Sequence, residues 1–317
     1  MSHLEGRRIY IAGKDGFLGK HLSKTVEDIG GHVLDSRRQD LRYETPDLLA
    51  YADIVINCAG QCGGVGFNVR KPATILHDNV MIGLNLINAC AKISRERQYG
   101  KHLEKFISIG SACEYSPLAE IPFKEEDLWT GYPEESNGAY GISKRLLRES
   151  VKSYRQEYGL NAIHVVLANL YGPGDDFLSD DNHVIPALIR RFHKAEVENL
   201  PKVHINANSG IFREFFYVKD AAKAICNVAE KYDGGPINLG SGQEIELNEL
   251  VRMICNLVGY NGSVIFEDQP YGQFRKVLDC SKATALNLLP EITDFEVGLK
   301  ETYASYLEPN KAVSVNV

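Results

Sequence analysis

Tyr140 and Lys144 stand four residues apart in a stretch with helical spacing, so a phenol and an ammonium share one face. A lysine charge beside a tyrosine favours the phenolate and predicts a pKa below the usual ~10, which makes an acid–base group usable near neutral pH. Tyr-x-x-x-Lys alone is common by chance. Ser111 gives it weight, because it follows the strand-like run Lys105 to Ile109, and strand ends of an open α/β sheet face the ligand crevice. A hydroxyl and a phenol held there can hydrogen-bond a carbonyl oxygen as charge develops on it. If Gly110-Ser111-Ala112-Cys113-Glu114-Tyr115 stays extended, Ser111, Cys113 and Tyr115 share a face. Cys113 is then expected beside Ser111, and Glu114 in a structural or solvent-facing role.

A second constellation is Gly13-Lys14-Asp15-Gly16-Phe17-Leu18-Gly19, a G-x-x-G-x-x-G run between a strand pattern and a helix pattern. Among 28 glycines such a run is weak by itself. Its context is what a dinucleotide needs: glycines let the backbone approach a pyrophosphate, and a helix N-terminus offers free N–H groups. Farther on, Asp35 sits where a carboxylate takes both ribose hydroxyls of NAD, while Arg37 and Arg38 suit the 2′-phosphate of NADP. The two readings compete, because a carboxylate repels that phosphate.

These groups require a particular scaffold. Ile9–Ala12, His32–Asp35, Asp53–Asn57, Lys105–Ile109 and Ala162–Leu167 read as apolar, β-branched strands of a parallel sheet covered on both faces. Helical stripes alternate with them: Leu18, Leu22, Val26, Ile29; Leu76, Val80, Leu84, Ile87, Ala91; and Leu147, Val151, Tyr154, Tyr158. The order predicts an α/β fold with a doubly wound parallel Rossmann sheet. After about residue 170 the rhythm breaks at Tyr171-Gly172-Pro173-Gly174-Asp175-Asp176. Helices are then expected over Val184–Ala195, Ala221–Glu230 and Leu247–Val258, and strands over Phe215–Val218 and Pro236–Leu239. The expected organisation is a dinucleotide-binding domain over 1–170, rejoined by about 214–240, with 171–213 and 241–317 forming a smaller mixed α/β substrate-binding domain.

The glycine turn with Ser111, Tyr140 and Lys144 resembles the extended short-chain dehydrogenases/reductases, and within them the GDP-L-fucose synthase family, over about Arg8 to Tyr306. The matching runs include Ser111–Tyr115, Asn169-Leu170-Tyr171-Gly172-Pro173, the stretch from Asn182 to His193, Arg213-Glu214-Phe215 and Arg275-Lys276-Val277-Leu278-Asp279. Gly63-Gly64-Val65-Gly66-Phe67 is similar to the related GDP-mannose 3,5-epimerases. The resemblance implies NAD(P)H-dependent reduction, with C3/C5 epimerisation, of a GDP-linked 4-keto sugar. It makes Cys113 and His183 the groups that exchange protons beside the ketone. Tyr140 would protonate the new alkoxide, Lys144 would hold the nicotinamide ribose, and Ser111 would orient the carbonyl. Candidate dinucleotide contacts are Gly13, Gly16, Phe17, Leu18, Gly19, Asp35, Arg37, Asn57, Tyr140 and Lys144. Candidate substrate contacts are Asn169, Arg191, Arg213 and Arg275. NADP(H) is favoured through Arg37, with NAD(H) the alternative. The family's basic residues are replaced by Asp15 and Asp35, its pocket tryptophan by Asn206-Ala207-Asn208-Ser209-Gly210, and an apolar residue by Glu114. The sugar and the base are therefore left open.

Composition sets the outer bounds. The chain has 317 residues, 44% of them apolar and 24% charged, in the ordinary globular range. A net charge of -7 argues against nucleic acid as a partner, and no apolar run approaches a membrane span. Seven scattered cysteines predict a reduced, soluble, cytoplasmic protein with no metal site, since Cys58 and Cys62 lack the paired spacing of a zinc site. The polar N-terminus predicts no secretory signal. Ser111-Ala112-Cys113 stands where sugar 4,6-dehydratases carry Thr-Asp-Glu, which argues against dehydration. Two further readings stay open: a redox-neutral 3,5-epimerase with bound NAD, and a non-catalytic dinucleotide sensor. The apolar helices around Leu76–Ile93 and Leu147–Tyr158 predict a homodimer through a four-helix interface.

Overall fold

The strands of the first half carry apolar residues on both faces, and each face finds its own helices. The computed structural model describes residues 3–35, 39–96, 103–179, 181–267 and 273–308. In chain order it runs β1 (Arg8–Ala12), α1 (Phe17–Asp28), β2 (His32–Val33), β3 (Ile54–Asn57), α2 (Val65–Arg70), α3 (Pro72–Glu96), β4 (Lys105–Ser111), α4 (Gly138–Tyr158) and β5 (Ala162–Leu167). There follow β6 (Asn169–Tyr171), α5 (Val184–Val197), β7 (Lys202–Ile205), β8 (Phe212–Tyr217), α6 (Val218–Lys231), β9 (Ile237–Leu239) and β10 (Glu244–Glu246). The last elements are α7 (Leu247–Val258), β11 (Ser263–Phe266), β12 (Arg275–Lys276), α8 (Ser281–Ala285) and α9 (Phe295–Leu307).

The large sheet is parallel throughout, in the order β2-β1-β3-β4-β5-β9. Alternation along each strand sorts its side chains. Ile9, Ile11, Ile54, Ile56, Ile107, Ile163 and Val165 pack with α1 and α6, while Tyr10, Ala12, Val55, Phe106 and Ala162 pack with α3. The order reverses between β1 and β3, so the loops that follow these strands part and leave a crevice at their C-terminal ends. The glycine turn follows β1, and Ser111 closes β4 on the same edge.

A second core forms around Ile185, Leu188, Ile189 and Phe192 of α5, Phe215 and Tyr217 of β8, and Leu247, Leu250 and Ile254 of α7. Its strands pair as β10-β8-β12, with β6 on β8 and β11 on β7. Leu278, Cys280, Ala283 and Leu288 pack instead into the core of the large sheet. Among the described residues no helix is long and apolar enough to cross a membrane.

Candidate active site

The glycine turn has no room for side chains. Gly13 has φ +75°, and a Cβ there would lie 2.9 Å from the Ala59 nitrogen; a Cβ on Gly19 would run into the Gly13 carbonyl oxygen. Gly16 caps α1 without a side-chain hydrogen bond, so the first-turn N–H groups stay open to an anion. The cradle fits a dinucleotide pyrophosphate. Phe17 and Leu18 open α1, and Leu18 packs onto the core. Asn57 is buried, and its Oδ1 accepts from the Ala59 amide at 3.1 Å, which shapes the loop facing Gly13. Asp35 is almost fully exposed, and Lys14 Nζ approaches it to 3.5 Å. Strand β2 ends at Val33, two residues short of the expected limit. Arg37 and Arg38 lie outside the described residues.

Beyond Ser111 the backbone does not stay extended. Ala112–Glu114 forms a single 3₁₀ turn, in which the Cys113 amide donates to Ser111 Oγ at 3.2 Å and Glu114 Oε1 accepts from the Ser111 amide at 2.7 Å. This corrects the expected shared face. Cys113 stays next to Ser111 through the turn, but Tyr115 is carried into the core, where its hydroxyl donates to Asn238 Oδ1 and its ring stacks on Phe123. Glu114 is fully buried against His164, with both carboxylate oxygens 3.1 Å from Nε2. The expected structural role is the one observed.

Helix α4 carries Tyr140 and Lys144 into the crevice. Lys144 Nζ lies 5.7 Å from the Tyr140 ring centre and donates to the Ile109 carbonyl at 2.9 Å. Burial holds the lysine below its ordinary range. The tyrosine does not follow the expected direction. Burial, joined by the Cys62 and Cys113 sulfurs, pushes its phenol well above 10. Burial thus makes the Tyr140 phenol hold its proton more tightly than an exposed tyrosine would.

His183 is the N-cap of α5. Its Nδ1 lies 3.9 Å from Asp175 Oδ1, and its Nε2 lies 3.5 Å from Cys62 Sγ. Desolvation alone would lower the ring, but Asp175 and Cys62 outweigh it and hold the imidazole well above its ordinary range. Cys113 faces a different partner: Lys276 Nζ donates to its sulfur at 3.8 Å and lies 3.6 Å from Glu134. Lys276 pairs in register with Arg213 across β12 and β8. Arg213 donates to the Phe212 and Phe274 carbonyls, and desolvation lowers its pKa. The Nδ2 of Asn169 donates to the Glu214 carbonyl, and the guanidinium of Arg191 to the His204 carbonyl. Arg275 is held across β8 by Glu244, at 2.6 Å. The structure thus gathers Tyr140 and Lys144 on α4, links Cys113 to Ser111, and seats His183 beside Cys62. Cys62, Asp175 and Lys276 went unassigned in the sequence. Cys62 and Asp175 have no local signal, whereas Lys276 lay in a run matched for its neighbours.

Residues 9–240 match the family described as "NAD dependent epimerase/dehydratase family". The chain belongs to that family. Among the relatives of this family member, the GDP-L-fucose synthase of Sinorhizobium fredii is 33% identical over 312 residues, covering 96% of each chain. A GDP-6-OMe-4-keto-L-xylo-heptose reductase from C. jejuni superposes with a TM-score of 0.84 at 25% identity, over 98% of this chain and 100% of that one. A GDP-L-fucose synthetase from Naegleria fowleri, bound to NADP, gives a TM-score of 0.84 at 27% identity, over 97% and 95%.

Proposed function

We propose that this protein reduces a GDP-linked 4-keto sugar with NADP(H) and exchanges protons at the carbons flanking the ketone. The observation that carries the reading is the buried Tyr140 beside Lys144, in a crevice that also presents Ser111, Cys113 and His183. The relatives named above, two GDP-L-fucose synthases and a GDP-keto-heptose reductase, support the same substrate class. NADP(H), when bound, supplies the hydride that reduces the ketone carbon. Tyr140 gives its proton to the oxygen as it becomes an alkoxide, and Ser111 hydrogen-bonds that oxygen. Lys144 would hold the nicotinamide ribose from the buried end of the crevice. Lys14 offsets the Asp35 carboxylate where a 2′-phosphate would approach, and the NADP in the Naegleria structure favours that cofactor.

A carbon beside a ketone is acidic because its carbanion is an enolate. Cys113, hydrogen-bonded to Lys276, and the imidazolium of His183 stand as two separate proton-transfer groups for that carbon acid. One removes a proton and the other returns one on the opposite face. Arg191 and Arg213 would take the diphosphate, whose oxygens match a guanidinium's paired donors. His183→Asn and Cys113→Ser should each stop solvent deuterium uptake at the carbons beside the ketone, read by mass spectrometry, with C4 reduction partly kept. Exchange that persists in both variants, or is missing from the parent, would leave a reductase without epimerase action.

The same reading includes a two-fold dimer through α3 and α4. A Cβ at Gly83 would collide with Leu147, so the two helices pack closely along that line. Leu76 remains 38% exposed, and Val80 and Leu84 half-buried, on a stripe one helical turn apart. A two-fold axis buries the same stripe twice. Leu84→Glu should shift the protein from dimer to monomer in light scattering. A parent protein with the mass of one chain would rule the dimer out.

A further inference from the structure

Cys62 sits where two independent clamps meet. On one side, Asn79 Oδ1 accepts from the Gln61 amide at 2.7 Å, and Asn79 Nδ2 donates to the Gln61 carbonyl at 3.0 Å. On the other, the Gly64 amide donates to the Asp181 carbonyl at 2.6 Å, and a Cβ at Gly64 would lie 2.6 Å from the Asn182 carbonyl oxygen. Arg70 of α2 also pairs with Asp181. Glycine at 64 thus lets the loop before α2 close directly onto the residues that precede α5. The result brings Cys62 Sγ to 3.5 Å from His183 Nε2, and the residue keeps exposed surface. The Tyr140 side chain is close enough to Cys62 to act on its sulfur. Behind His183, Asp175 is buried, and its Oδ2 has no hydrogen-bond partner of its own.

We propose that Cys62 is a positioning residue of this site: a proton-sharing link that ties the Tyr140 hydroxyl to the His183 imidazole and, through it, to Asp175. The inference rests on the function proposed above, but its geometry stands apart from any substrate. In the resting site the Cys62 S–H bond breaks, and its proton goes to His183 Nε2, leaving a thiolate and an imidazolium with no change in net charge. Asp175 stabilises the imidazolium, and the thiolate accepts from Tyr140. After Tyr140 has given its proton away, one proton returns along the same line, from His183 to Cys62 to the phenolate, and His183 is reprotonated from water. The groups that face the sulfur agree with this. Desolvation pushes the thiol up, but His183, Tyr140 and Lys144 outweigh it, and the net direction is down.

Alkylation by iodoacetamide, followed at the Cys62 peptide across pH, tests the link without turnover. The parent should show an inflection below the ordinary thiol value of ~8.5. His183→Asn should slow Cys62 alkylation at neutral pH by at least ~10-fold, and Asp175→Asn should slow it as well if the first variant fails to fold. An ordinary inflection that is unchanged in both variants overturns the proposal. With an active substrate, Cys62→Val should move the limb of the kcat profile set by His183 toward lower pH, because the imidazolium loses its thiolate. A merely structural cysteine would leave that limb in place, and an unmoved limb overturns the proposal too. If no GDP-linked keto sugar is turned over, the functional reading fails, and the alkylation result still decides the role of Cys62.

Discussion

Tyr140→Phe should lower kcat by at least ~10²-fold while dinucleotide binding survives, because positioned general-acid help is typically worth that much. The substitution removes one hydroxyl and leaves the ring in its packing. The phenol is held well above its ordinary pKa by burial and by the two sulfurs, so at neutral pH it has a proton to give. Lys144 keeps its hydrogen bond to the Ile109 carbonyl in the variant, and the glycine cradle is untouched. Steady-state rates together with a fluorescence titration of the cofactor separate the two effects. Turnover near the parent rate would remove Tyr140 from the chemistry.

The second large effect lies beneath Ser111. Glu114 is an acceptor for the Ser111 amide and for His164, in a site with no exposed surface. Glu114→Leu leaves both donors without a partner, and breaking a buried pair from one side costs about 3 kcal/mol or more. The urea midpoint should fall accordingly. Activity should fall with it, since the 3₁₀ turn that holds Cys113 beside Ser111 closes on the same carboxylate. Adding His164→Val removes the second orphan and should recover part of the stability, so the pair shows as a coupling in a double-mutant cycle. A single variant that melts within a few tenths of a kcal/mol of the parent would show that the pair holds nothing.

Where hydrophobic pattern and chain order carry the information, the fold was legible. The apolar runs at Ile9, Ile54, Lys105 and Ala162 became strands of one parallel sheet because both faces of each had to be covered. Helix α7 has the limits its spacing predicts. The short strands β6, β7, β10, β11 and β12 carry too few residues to show a period, and their pairing is decided by distant partners. The candidate site divides in the same way. Tyr140, Lys144 and Ser111 follow from spacing and strand position. The direction in which the Tyr140 phenol shifts did not follow, because it depends on how deeply the folded chain buries it. Nor did Cys62, whose meaning comes from a contact with His183 across more than a third of the chain. No local pattern marks such a contact; the tolerance of Gly64 for the Asn182 carbonyl creates it.

The absorbance of NADPH follows net reduction of a GDP-linked 4-keto sugar directly. Incubation of the protein with NADPH and GDP-4-keto-6-deoxymannose should give one equivalent of absorbance loss per sugar reduced, with no loss in the Tyr140→Phe protein above about 1% of the parent rate. Conversion of a GDP-sugar without any net loss of NADPH would rule out the reductase and make the protein a redox-neutral epimerase.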